Sequence, residues 1–78
     1  MKEKLSCSGK WLVKKVIKKF GYIKQRQKGS HVTLEFEGKG LTIPLHKELD
    51  KGTQNAIIRL VSLHTGLKKE EIIKKLKS

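Results

Sequence analysis

The sequence predicts a small α+β domain, a three-stranded antiparallel sheet with helices packed on one face, in the order α-β-β-β-α-α. Three observations carry this. Apolar residues between 9 and 20 recur at helical spacing and stop at a glycine. Residues 22 to 44 alternate apolar and polar, broken by Gly29-Ser30 and Gly38-Lys39. Residues 52 to 76 return to helical spacing, interrupted at Gly66. With 78 residues, no repeats, no low-complexity stretch and no linker, residues 1–78 read as one domain with a core from about 8 to 76.

Ser8 is suited to cap the first helix, residues 9 to 20. Leu12, Val13, Val16, Ile17 and Phe20 form its apolar stripe, Trp11 borders it, and Lys10, Lys14, Lys15, Lys18 and Lys19 lie off it. Gly21 supplies the stop.

The three strands are read from period two. In 22 to 28, Ile23 is the inward residue, with Tyr22, Lys24, Arg26 and Lys28 on the opposite face. In 31 to 37, Val32, Leu34 and Phe36 alternate with His31, Thr33, Glu35 and Glu37. Gly29-Ser30 fits a two-residue hairpin loop with glycine first, and Gly38-Lys39 offers a second such loop. Leu41 and Ile43 make the third strand, which Pro44 ends. With those loops, Lys28 faces His31, Arg26 faces Thr33, Lys24 faces Glu35, and Ile23 faces Phe36. Phe36 in turn faces Leu41, and Leu34 faces Ile43. Both hairpins then turn their apolar residues to one side, an agreement that a one-residue slip would destroy. Lys24, Arg26, Lys28 and His31 are expected together on the other side.

The second helix, roughly 52 to 64, carries the stripe Ala56, Ile57, Leu60, Val61 and His64, and Gly66 stops it. The third, roughly 68 to 76, carries Ile72, Ile73 and Leu76. Its Glu70 and Glu71 in the first turn and Lys74, Lys75 and Lys77 in the last suit the helix dipole.

Charge narrows the function. Nineteen Lys and Arg against seven Asp and Glu give a formal net charge of +12, and such a field draws polyanions, nucleic acid foremost. Only Arg26 and Arg59 are arginines, so phosphate contact by point charges fits better than bidentate base reading. Cys7 is the single cysteine, which rules out a disulfide within the chain and suits a reducing compartment. There is no apolar run of about 18 residues, and the stretch MKEKLSCSGKW has no continuous apolar region of a signal peptide. The expected location is the cytoplasm.

His31 is the sharpest candidate for chemistry. RNA is cut without a metal when its own 2′-hydroxyl attacks the adjacent phosphate. The protein must accept that proton or protonate the leaving oxygen, and histidine titrates near neutral pH. The negative charge gathered on phosphorus needs donors. The register puts Arg26 and Lys28 beside His31, Lys24 extends the track, and Gly29 and Ser30 offer a turn that a phosphate can approach closely. The bland reading is a histidine on a solvated basic face. His46 falls in a loop, and His64 on an apolar stripe reads as structural. Cys7, His31, His46 and His64 lack the close ligand pairs of zinc sites, and no cofactor motif occurs. The basic C-terminal segment is too short and too acidic in its first turn for a membrane-surface helix.

Taken together, SGK at 8–10, RQKGSH at 26–31, TIPLHKELDKGT at 42–53 and AIIRLVSLHTGLKKEEIIKKL at 56–76 resemble the HicA toxins of toxin–antitoxin modules. The resemblance implies a double-stranded-RNA-binding-like fold and a metal-independent mRNA interferase. It also implies a catalytic histidine at His31 and an mRNA substrate, with a HicB-type antitoxin as partner. Lys68 departs from the family, whose members often cap the last helix there with serine or threonine. The alternatives are a non-catalytic RNA-binding module of the same fold and a basic protein that docks an acidic partner.

Overall fold

The computed structural model describes residues 7–78. The sequence reading of residues 1–6 as lacking an apolar leader lies outside them. The order is α1 (Gly9–Phe20), β1 (Ile23–Lys28), β2 (His31–Phe36), β3 (Lys39–Pro44), α2 (Lys51–Thr65) and α3 (Lys69–Lys77). The sheet is antiparallel in the order β1-β2-β3. The helices bury their apolar residues against one of its faces, where Val32, Leu34, Leu41 and Ile43 are almost wholly excluded from solvent. This is the α+β arrangement expected from the sequence.

Both ends of α1 follow from its residues. The Ser8 side chain accepts a hydrogen bond from the Trp11 N–H at 3.1 Å. Gly21 adopts the left-handed conformation, φ 81°, that glycine takes without strain. Gly9 has a different reason to be glycine. A Cβ there would overlap the Pro44 carbonyl oxygen and come within 2.9 Å of Leu45 Cα. The first turn of α1 thus rests on the backbone after β3, and the Gly9 N–H donates to the His46 carbonyl at 2.9 Å.

The alternation in β1 misassigns two residues. Tyr22 is buried, at 1% exposure, and Ile23 is 65% exposed. The cause is a bulge between Lys24 and Arg26: Lys28 pairs with His31 and Arg26 with Thr33, but Lys24 then pairs with Leu34 and Ile23 with Glu35. One extra residue, Gln25, reverses the facing of everything before it. The helix stop helps to fix the outcome, because the N–H groups of Gly21 and Tyr22 both turn back to the Val16 carbonyl and hold Tyr22 against the end of α1. The Tyr22 ring lies tilted against Phe36 with 5.3 Å between centroids, and its hydroxyl hydrogen-bonds His64 Nδ1 at 2.8 Å.

The second hairpin also differs from expectation. Its loop is Glu37-Gly38, with φ 51° and 81°, the pair of positive φ values of a type I′ turn. Leu34 therefore pairs with Leu41, Val32 with Ile43 and His31 with Pro44, while Phe36 pairs with Lys39 instead of Leu41. A shift of two partners preserves the inward face. The shift also leaves Pro44, which has no N–H, at the end of its strand, where the expected register would set it in the interior opposite Thr33.

In α2 the buried face is Gln54, Ile57, Ile58 and Val61. Ala56 and Leu60 turn outward, against the predicted stripe. The Gln54 side-chain amide donates to the Leu49 carbonyl at 2.7 Å, which holds this side of the helix inward. Ile17 of α1 is likewise more exposed than its stripe suggests, at 39%. Asp50 caps α2 through the Thr53 N–H at 2.7 Å, and Gly66 ends it. At α3 the Lys68 N–H donates to Glu71 Oε1 at 3.1 Å, so the first turn keeps one capping bond although lysine stands at the cap.

Candidate active site on the open sheet face

The sheet face turned away from the helices holds the candidate site. His31 opens the central strand directly after the Gly29-Ser30 turn, with Lys28 as its partner on one side and Pro44 on the other. One pleat further along, Thr33 stands between Arg26 and Thr42. Arg26, Lys28, His31 and Thr33 line an open depression of about 500 Å³. His31, Arg26 and Lys28 are all exposed, so nothing in the fold explains their clustering by burial.

The turn is fixed by its residues. Gly29 has φ 59°, which suits the first loop position of a type II′ turn, and a Cβ there would meet nothing within 4 Å. The Ser30 carbonyl accepts from the Leu45 N–H at 2.6 Å. That bond ties the turn to the segment after β3, on which α1 also rests. His31 is thus held by a braced turn, a central strand and a proline-ended neighbour. Rigid support of this kind keeps a side chain in place without burying it.

Five of the six sequence-predicted site residues come together: Arg26, Lys28, Gly29, Ser30 and His31 share this corner. Lys24 does not. Beyond the bulge it pairs with the inward-facing Leu34, and its Nζ donates to Gln27 Oε1 at 3.2 Å. The expected Lys24–Glu35 pair is replaced by Gln25 Nε2 donating to Glu35 Oε1 at 2.7 Å. Thr33 is the lining residue that the sequence reading did not single out. Strand alternation had already put it on the face of His31, and that was the available signal.

The other titratable candidates are structural. Burial and the nearby Lys39 charge hold the His64 imidazole below its ordinary pKa of 6.5, and burial pushes Tyr22 up to about 12. Both shifts favour a neutral pair in which the Tyr22 hydroxyl donates to His64 Nδ1. Burial also raises the Cys7 thiol, which keeps it protonated. His46 is exposed in the loop after β3, close enough to Asp50 to help lower that carboxyl. Among the described residues, no three of His, Cys, Asp and Glu gather as metal ligands would.

The family described as "HicA toxin of bacterial toxin-antitoxin" matches residues 13–63, from α1 through nearly all of α2. The chain belongs to the HicA toxin family. The match spans the β1–β2 turn, His31 and the whole sheet. As a family member the chain takes a toxin role in a toxin–antitoxin pair, with a cognate antitoxin as partner. No curated protein and no solved structure matches it. No described helix of this HicA-family chain is long and apolar enough to cross a membrane.

Proposed function

We propose that this HicA-family toxin is a metal-independent endoribonuclease of the cytoplasm, an mRNA interferase, in which His31 is the one catalytic side chain. The observation that carries the reading is the depression lined by His31, Arg26, Lys28 and Thr33 on a sheet face that the fold does not use for packing. An RNA strand laid across this face brings a phosphate between the two cations. The 2′-hydroxyl of the preceding ribose attacks phosphorus, and the 5′-oxygen of the next nucleotide leaves. The products are a 2′,3′-cyclic phosphate and a free 5′-hydroxyl. His31 takes the 2′-hydroxyl proton as base or gives one to the 5′-oxygen as acid, a contribution of roughly 10²–10⁴-fold. Arg26 and Lys28 meet the negative charge that grows on the phosphoryl oxygens. Gly29 and Ser30 keep the turn low enough for the backbone to pass. Lys24, turned off this face by the bulge, takes no part in holding the reacting phosphate.

A HicB-type antitoxin would silence such a site by covering it with acidic side chains, since Arg26, Lys28 and His31 stand uncovered in the free toxin. The reading is tested by incubating the purified protein with a long unstructured RNA in excess EDTA, beside His31→Ala. Cleavage by the wild type, and binding without cleavage by the variant, supports it. Equal cleavage by both removes His31 from the chemistry. Binding without cleavage by both leaves the cationic face as a non-catalytic RNA-binding surface.

A further inference from the structure

α2 carries more apolar residues than the core uses. Ile57, Ile58 and Val61 point inward, yet Ala56, Leu60 and Leu63 follow one another at i, i+4 and i+7 along the outer side. Leu63 is 76% exposed and Leu60 38%. The surroundings are as unusual as the stripe. Arg59 is the only charged residue between positions 52 and 67, in a chain of net charge +12. A docking protein meets no lysine along this stretch, so little water has to be stripped from charge to make contact.

We propose that the outer face of α2, centred on Leu60 and Leu63, is a docking surface for the cognate antitoxin, separate from the open sheet face. The occupant follows from size and charge. Three side chains supply only a fraction of the roughly 800 Å² per partner that a standard interface buries. The contact must therefore spread onto what borders the stripe. Arg59 lies within the face, Lys68 follows the end of the helix, and Lys39 is near enough to act on His64. A second copy of this chain would set the same cations against these. The matching surface is an apolar patch rimmed by carboxylates, and the partner that family membership supplies is the antitoxin. A grip on α2 adds salt-resistant apolar contact to any electrostatic cover of the cationic sheet face. The proposal rests on membership of the family and not on the ribonuclease reading.

The test measures binding of the full-length toxin to the antitoxin encoded beside it, by calorimetry, at two salt concentrations. Leu63→Glu should weaken binding at least tenfold, and Leu63→Lys by less, because the acidic rim tolerates a cation better than a carboxylate. Leu60→Ser should weaken it several-fold. Each variant should keep the wild-type Tm within a few degrees and the wild-type RNA affinity, since neither side chain is in the core or near His31. Affinity within twofold of wild type for Leu63→Glu overturns the proposal. A weaker Leu63→Lys than Leu63→Glu overturns the acidic rim. Sedimentation that shows a wild-type dimer broken by Leu63→Glu reassigns the face to a second copy.

Discussion

Replacing glycine by alanine in the first turn of a helix ordinarily stabilises a protein, by up to about 1 kcal/mol. Gly9 should do the opposite. Its missing Cβ is occupied by the Pro44 carbonyl, with Leu45 Cα 2.9 Å away, and both are backbone atoms that cannot rotate aside. Gly9→Ala must therefore lift α1 off the segment after β3 or strain that segment. Forcing an extra methyl group into a packed site costs about 1–3 kcal/mol. Stretching the Gly9 N–H bond to the His46 carbonyl, 2.9 Å in the native fold, adds about 1 kcal/mol. Against the alanine preference the net loss is about 1–3 kcal/mol, which for a domain of this size lowers Tm by roughly 5–20 °C. Gly52, in the first turn of α2, provides the control. A Cβ there meets only Asp50 Oδ1 at 3.7 Å, an ordinary contact. Gly52→Ala should raise Tm by a few degrees through the reduced freedom of the unfolded chain. Thermal unfolding of both variants, followed by circular dichroism, decides the matter. A Gly9→Ala protein as stable as wild type would refute the close approach of α1 to the strand end.

Two further predictions concern pH. The folded pKa of His64 lies below 6.5, so the unfolded chain binds its proton first as pH falls. His64 should therefore leave stability untouched above about pH 7 and erode it as pH drops below 6.5, levelling off beneath the folded pKa. Urea unfolding at pH 7.5 and 5.5 should show a fall for the wild type that is smaller in His64→Gln, and equal slopes would contradict the buried Tyr22–His64 pair. Asp50 has a dependence of the same sign in a more acidic range: its bonds with Thr53 lower its pKa, so its support of α2 is present above 3.8 and disappears as pH falls through the lower folded value. The destabilisation caused by Asp50→Ala at neutral pH should shrink steadily in titrations from pH 5 towards 2.

The sequence alone determined much of this protein. Helix ends were legible because Ser8, Gly21 and Gly66 act within a few residues of themselves, by capping or by adopting positive φ. The Gly29-Ser30 loop was legible for the same reason, and with it the pairing of Lys28 to His31 and Arg26 to Thr33. Those local rules suffice to bring most of the candidate site together. What only the tertiary structure decided lies further from the turns. The bulge at Gln25 exchanges Tyr22 for Ile23 and removes Lys24 from the His31 face, because Tyr22 is drawn into contact with Phe36 and His64, the latter 42 positions away in sequence. The choice of Glu37-Gly38 as the second loop answers to Pro44, whose missing N–H is harmless only at the end of the strand. The facing of α2 was open because apolar residues stand at 56, 57, 58, 60, 61 and 63, and periodicity cannot choose among overlapping stripes. The bond from Gln54 to the Leu49 carbonyl holds one of them inward, and Leu60 and Leu63 are left to the solvent.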